Sequence, residues 1–493
     1  MNMAEPITVH AIINGEKVKT ERTYARENPS NPSEIVGYGP VNSREDAIRA
    51  IEAASEAFVL WARTSVDERI ERMQRAIDRL KGSADALVQL LSREHGKPLY
   101  DAGGEMFVTT LWMEHACSIA KEVLQDKVEI HEAGKTIITR DPVGVVSAIF
   151  PWNYPLALST IKIAPALLAG NTIVLKPSPY APLAVSKAIE MMAEEFPPGV
   201  INLVHGESDV GVELTSHPLV AKVAFTGGTE TGKQIMKTAA GTLKNVTLEL
   251  GGNDAAVILP DFDVQDERAM RRLVISNFLT SGQICMIAKR VYVHRSIYDR
   301  FVEAYIAAAN QWIRVGDPFH PNVTIGPVNN KRQLEYVKSL VQDAEQRGAK
   351  VVPLGSIVDA NAFNQGYFMQ PCLVLNVDYD APIVVEEQFG PTVPVLPYDD
   401  EEQAISLVNN SIYGLTSSVW GEEAHALRVA RRIQAGTTMI NTAAIQGLDI
   451  RFPFGGVKQS GIGREYGAEG LSAYTELHVI NIPTVGELPN IPE

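Results

Sequence analysis

Cysteine is scarce in this chain: three in 493 residues, at Cys117, Cys285 and Cys372. None forms a CxxC pair or stands at metal-ligand spacing from a histidine. That excludes a disulfide framework and weighs against zinc, so no metal is expected. Positive charge is also short. Lys and Arg total 44 against 59 Asp and Glu, a net charge of −15. This argues against a general nucleic-acid binder, whose affinity rests on a basic surface. Long apolar runs are missing. Val143–Phe150 and Ile163–Ala169 fall far short of the roughly 20 residues of a membrane helix, so no membrane partner is expected. The opening MNMAEPITVH has no basic start leading into an apolar run, so no secretory signal is read there. With so little cysteine, the expected location is a reducing cytoplasm. No fixed-period repeat and no low-complexity tract is present.

What remains is a composition of 45% hydrophobic and 21% charged residues, ordinary for a globular protein and long enough for two or three domains. Ser43 followed by Asp46 reads as an acidic capping box, opening a helix on which Ile48, Ile51, Ala54 and Phe58 recur at helical spacing. A second helical region is predicted from about Val66 to His95. Residues 127–140 alternate about Ala133-Gly134 as a hairpin too polar to own a core, so it lies on the surface or pairs with a partner subunit. Then short apolar strands at Val143–Ile149, Thr172–Leu175, Ile201–Val204 and Ala221–Phe225 alternate with helical stretches at Leu158–Ala169, Leu183–Glu195, Val210–Ser216 and Thr231–Ala240. This is the rhythm of a doubly wound parallel sheet. A second α/β half begins at Ala255–Leu259, and His478–Ile482 reads as a last strand before a proline-containing tail.

Four stretches besides the one ending in Cys285 carry chemistry. Phe150-Pro151-Trp152-Asn153-Tyr154-Pro155 follows a buried strand, where ligands bind in open α/β sheets. Asn153, held in a proline-stiffened turn, either donates its amide to a developing oxyanion or caps the turn. Lys176, in Lys-Pro-Ser-Pro after another strand, is a ligand for ribose or phosphate, or a surface lysine. Phe225–Lys233 runs a strand into Gly227, Gly228 and Gly232 and then a helix. It matches neither GxGxxG nor the P-loop, and reads as a dinucleotide turn or a plain tight turn. Glu249, between Leu248 and Leu250 at a strand end, is an acid whose burial would raise its pKa and suit it to act as a base; otherwise it is an exposed edge residue. Cys285 itself, taken alone, is a small buried hydrophobe as readily as a nucleophile.

Together these stretches resemble the aldehyde dehydrogenase superfamily, in its NAD(P)-dependent, non-CoA-acylating branch. The motifs PWNYP, LLAGNTIVLKPS, VAFTGGTETG, LELGGND, SGQIC, EEQFGP and PFGGVKQSGIGRE follow in the family's order along almost the whole chain. The resemblance implies two doubly wound α/β domains, one Rossmann-like for the cofactor and one catalytic, plus a small β oligomerisation element. On this chain that gives residues 1–124 and 143–252 for the cofactor domain, 253–459 for the catalytic domain, 125–142 and 474–493 for the oligomerisation element, and 460–473 as a return to the cofactor domain. It implies Cys285 as nucleophile, Glu249 as general base and Asn153 as oxyanion amide. Pro151, Trp152, Lys176, Ser178, Gly227, Gly228, Gly232, Leu250, Glu387 and Phe389 then hold NAD or NADP. By analogy the aldehyde lies among Tyr154, Leu158, Ile161, Ile284, Met286 and Phe454, with Phe107 and Trp112 as expected neighbours. That lining suits aromatic or medium-chain aldehydes. The alternatives are a semialdehyde dehydrogenase, with Arg451 turned inward to hold a carboxylate, and a CoA-acylating enzyme, against which Glu249 speaks. A homodimer or homotetramer is implied.

Three departures matter. Thr280 stands where the family usually has Asn, a change expected to be tolerated. Gly228 stands where Ser is frequent. Pro179 stands where many NAD-specific members carry a Glu that would repel a 2′-phosphate, so NADP is expected to be accepted as well as NAD, with Ser178 available to bond it.

Overall fold

The computed structural model describes residues 5–484; the proline-containing tail after them and the first four residues of the opening segment lie outside the described residues. Two large sheets dominate. The first has eight strands in the order Gly461–Ile462, Asn245–Glu249, Val220–Thr226, Val145–Ile149, Thr172–Lys176, Ile201–Leu203, Ala11–Ile13, Glu16–Val18. Its five central strands run parallel, and the outer ones are antiparallel. Strands such as Val145–Ile149 and Thr172–Lys176 are short apolar runs because both of their faces are covered. On one face pack the helices Val66–Gly82, Leu99–Leu124, Pro155–Leu168 and Leu183–Ala193; on the other, Arg44–Trp61, Ser208–Ser216 and Thr229–Ala239.

From the strand Val145–Ile149 the chain first winds outward through Thr172–Lys176 and Ile201–Leu203. It then returns to the other side at Val220–Thr226. The carboxyl ends of Val145–Ile149 and Val220–Thr226 therefore flank the crevice where such sheets take ligands. Out of those ends come Phe150–Pro155 and Gly227–Thr229.

The second sheet orders Lys350–Pro353, Cys372–Leu375, Thr392–Tyr398, Ala288–His294, Asp254–Ile258, Thr416–Trp420 and Thr437–Ile440, all parallel but the first. The sheets meet end to end. The chain leaves the first at Glu249, crosses through Leu250–Asn253 and enters the second at Asp254. Cys285 precedes the strand Ala288–His294, so it stands at the amino edge of the second sheet, facing the carboxyl edge of the first.

Ser43 and Asp46 form the reciprocal capping box of Arg44–Trp61. The single helical region predicted over 66–95 is two helices, Val66–Gly82 and Ala84–His95, divided at Ser83. A 26-residue helix, Leu99–Leu124, carries no periodic signal strong enough to be read from the sequence, because it is apolar on nearly every side and broken in pattern by Gly103, Gly104, Thr109 and Thr110. The hairpin Lys127–His131/Gly134–Pro142 has its third strand in Thr475–Pro483, paired antiparallel with His478 opposite Thr139. Val128, Ile130, Leu477, Val479, Ile480 and Ile482 are exposed on this small sheet. No helix among the described residues is long and apolar enough to cross a membrane.

Candidate active site

Cys285 closes a turn of unusual backbone. Thr280 (φ 52°), Ser281 (φ 56°) and Gly282 (φ 73°) are three consecutive left-handed residues. For Thr and Ser this conformation costs about 1–2 kcal/mol each, and only surroundings that over-determine it hold it in place. The holders are visible. The Thr280 carbonyl accepts from both the Gln283 backbone N–H (3.1 Å) and side-chain amide (2.9 Å). The Ser281 hydroxyl donates to Gly326 O at 2.8 Å, and Gln283 Oε1 accepts from the Asn329 backbone.

Asn153 is buried in the turn after Val145–Ile149, and its Nδ2 donates to Gln283 O at 3.0 Å. One amide hydrogen is spent on the cysteine turn, which leaves the second free. Glu249 is buried at the end of its strand, with Oε1 lacking any hydrogen-bond partner. Burial raises its pKa well above the ordinary carboxylate range, the nearby Glu465 pushes it further, and Lys162 and Arg464 pull the other way. Glu465 in turn binds Lys162 Nζ at 2.5 Å, and that ammonium also donates to Thr226 Oγ1 at 2.8 Å. The Cys285 thiol is pushed well above its ordinary pKa, first by burial and then by Glu387, Glu249 and Asp254.

Two cavities share Cys285, Asn153 and Thr226. The first, about 330 Å³, is lined by Pro151, Trp152, Gly227, Gly228, Leu250, Gly251, Gln333, Tyr336, Glu387 and Phe389. Glu387 accepts the Gly252 N–H at 2.9 Å, and burial raises its carboxyl to about 7. Beyond Gly228 a wider groove of about 820 Å³ runs past Lys176, Pro179, Ser208, Glu230 and Arg332. Burial lowers the Lys176 ammonium to about 8. A side chain at Gly228 would meet nothing within 4 Å, whereas one at Gly232 would strike Leu250 at 2.5 Å. Gly228 thus leaves an open floor at a helix N-terminus. Gly232, expected beside a pyrophosphate, packs closely against Leu250 and is not in the lining of either space. Ser178 does not line the groove: its hydroxyl accepts from Tyr180 N–H at 3.3 Å. Two neighbouring spaces, each with glycines in its lining, one holding the Lys176 ammonium and the other the Glu387 carboxylate, fit an extended dinucleotide.

The second cavity is apolar, walled by Trp112, Tyr154, Leu158, Ile161, Ile284, Met286, Ile445, Leu448, Phe454 and Tyr466, with Glu249 and Glu465 at its margin. Phe107 is not among these walls; it is 65% exposed, on the outer side of its helix. Nor is Arg451, which lies in solvent and grips Asp449 with Nε at 2.9 Å. A carboxylate two residues away captures its charge at the surface.

A family model, Aldehyde dehydrogenase family, matches residues 17–480. The chain belongs to the aldehyde dehydrogenase family. It is an oxidoreductase acting on aldehyde groups. Among its relatives, the geranial dehydrogenase of Castellaniella defragrans is 37% identical, over 94% of this chain and 97% of that protein. The succinate-semialdehyde dehydrogenase (NADP) of Escherichia coli K12 is 35% identical over 95% and 96%. The crystal structure of betaine aldehyde dehydrogenase from Staphylococcus aureus in complex with NAD superposes with a TM-score of 0.92 at 35% identity, covering 99% and 97% of the two chains. This aldehyde dehydrogenase holds several site residues that its motifs did not single out. Gln333 and Tyr336 come from the first turns of the helix Lys331–Gln346. Glu465 lies inside the quoted motif PFGGVKQSGIGRE, and Lys162 is a lysine between Ile161 and Ile163 on an all-buried helix. A charge in such a setting was the available signal.

Proposed function

We propose that this chain oxidises an apolar, medium-chain or aromatic aldehyde to the free carboxylic acid, with NAD or NADP as acceptor. The supporting observation is the Cys285 thiol at the junction of an apolar cavity and a glycine-floored, carboxylate-bearing one. Cys285 Sγ bonds to the aldehyde carbon as its proton passes to a solvent water. The carbonyl electron pair moves onto oxygen, met by the free Asn153 Nδ2 hydrogen and the Cys285 backbone N–H. Pro151, Trp152, Gly227, Gly228, Leu250, Glu387 and Phe389 hold the nicotinamide half of the cofactor, and Lys176 the adenosine half; when bound, it supplies the hydride acceptor. Loss of hydride from the adduct leaves a thioester on Sγ. Glu249 takes a proton from water, whose oxygen bonds to the acyl carbon while the carbon–sulfur bond breaks. Glu249 makes CoA unnecessary as acyl acceptor.

The substrate reading rests on the second cavity, which has no Lys, Arg or His in its lining. A carboxylate-bearing semialdehyde, the substrate class of the Escherichia coli relative, would find no cation there, and Arg451 is occupied by Asp449. Pro179 itself brings no carboxylate against a 2′-phosphate, and Lys176 and Arg332 line the groove together with Glu207 and Glu230. NADP is therefore accepted, with Lys176 rather than Ser178 as the nearer polar group. The remaining assignments follow the same reading. Residues 1–124 and 143–252 make the cofactor domain, with 460–473 returning to it, and 253–459 make the catalytic domain. The exposed apolar rows on the small sheet meet a second subunit in a dimer or tetramer. Three free cysteines suit a reducing cytoplasm.

The test is reduced-nicotinamide formation from hexanal, benzaldehyde and succinate semialdehyde, with NAD and NADP. Wild type is expected to prefer the first two and to turn over with either cofactor. Cys285→Ala is expected to lose at least about 10⁴-fold. A preference for succinate semialdehyde would overturn the substrate reading.

A further inference from the structure

Three buried polar residues stand four apart at the start of the helix Leu99–Leu124: Lys97 just before it, then Asp101 and Glu105. That spacing puts them on one face, and the face reaches both halves of the catalytic turn pair. Lys97 Nζ donates to the Asn153 backbone O at 2.9 Å and lies 3.7 Å over the Tyr154 ring. Glu105 Oε1 accepts the Leu156 and Ala157 N–H groups at 2.8 and 3.3 Å, capping the helix that Asn153 precedes. Glu105 Oε2 binds Lys97 at 2.5 Å with both side chains fully buried. Asp101, on the same face, reaches the turn before Cys285. Its Oδ2 accepts from the Thr280 hydroxyl at 2.8 Å. Its Oδ1 accepts from Tyr154 Oη at 3.2 Å, and Tyr154 Oη and Thr280 Oγ1 are 2.9 Å apart.

We propose that Asp101 and Thr280 are positioning residues that lock the left-handed turn before Cys285 to the same helix that fixes Asn153, and so set the nucleophile against its oxyanion donor. Thr280 is thus more than a tolerated replacement for Asn. Its single hydroxyl hydrogen is committed to Asp101, and the Tyr154 hydroxyl hydrogen is shared between Asp101 Oδ1 and Thr280 Oγ1. Without that tie, two strained non-glycine residues lose a side-chain anchor that ties them to the upstream half of the site. Displacement of a reacting group by about 1 Å costs on the order of 100-fold.

The inference rests on Cys285 being the nucleophile, so its test needs one readout that does not. Thr280→Val keeps shape and removes the hydroxyl; Thr280→Ser keeps the hydroxyl; Asp101→Asn gives a second route should Val fold poorly. Two quantities are read: the first-turnover burst of reduced nicotinamide from hexanal, and amide hydrogen exchange of the segment 277–286 in the free enzyme. The expected result is a burst slowed roughly 100-fold in Thr280→Val and Asp101→Asn, with the cofactor KM within about twofold of wild type and faster exchange in that segment. Thr280→Ser stays within about threefold of wild type on both counts. A burst in Thr280→Val within about threefold of wild type, or a Thr280→Ser burst as slow as the Val burst, overturns the proposal. An unchanged first turnover in Cys285→Ala would instead sink the nucleophile assignment, and the exchange data would still decide whether the tie holds the turn.

Discussion

Two buried lysine–glutamate pairs flank the candidate site around Cys285, and they differ in what their spare atoms do. In Lys97–Glu105 every polar atom is committed to backbone or to the partner: Glu105 caps a helix, and Lys97 holds the Asn153 carbonyl. In Lys162–Glu465 the ammonium is bound to Glu465 and Thr226, and the pair sits against Glu249, whose Oε1 has no partner. The same two residue types, equally buried at similar N–O distance, serve opposite ends. A fully satisfied pair fixes geometry. A pair beside an unsatisfied acid sets that acid's proton affinity instead.

The comparison can be broken. The largest effect is expected at the acid itself: Glu249→Gln should lower steady-state turnover roughly 10²–10⁴-fold while leaving the first-turnover burst intact, because the thioester forms but is not hydrolysed. A burst lost together with turnover would show that Glu249 is needed before the thioester. Next, Lys97→Met strands the Glu105 charge in a dry site and should cost about 3–5 kcal/mol of stability by denaturant titration. If the loss is under about 1 kcal/mol, the scaffold role fails.

The smallest and most discriminating effects are in pH. Glu465 raises the Glu249 pKa and Lys162 lowers it. Glu465→Gln should therefore move the acid limb of thioester hydrolysis, where Glu249 loses its proton, to lower pH, and Lys162→Met should move it to higher pH. Glu105→Gln should leave that limb where it is, whatever it does to stability. Shifts of the same sign from the two members of the Lys162–Glu465 pair would contradict the electrostatic account.

Much of the site was legible before any fold was known. Asn153, Glu249 and Cys285 were named from the residue types at strand ends and from their motifs, and they lie around one junction. The burial of Glu249 was foreshadowed by its flanking leucines. The helix Leu99–Leu124 was not legible, and with it went Asp101 and Glu105. A helix that carries apolar Tyr100, Phe107 and Leu111 on its exposed side as well as apolar residues on its buried one has no amphipathic period to read. Ser178, Gly232, Phe107 and Arg451 were assigned by position within motifs and loops. Where each points depends on what the folded chain puts beside it: Tyr180, Leu250, open solvent and Asp449 respectively.

The sequence alone determined the strand-and-helix alternation and the family, and it pointed to Asn153, Glu249 and Cys285 as the candidates for the chemistry. These follow from short-range patterns that burial on both faces of a parallel sheet imposes on neighbouring residues. Tertiary structure alone decided which buried charges hold the site still and which tune it, because that depends on whether each oxygen and ammonium finds a partner across the fold. Glu105 and Glu465 look alike in the chain. They part company only where one oxygen meets a helix N-terminus and the other pair meets Glu249.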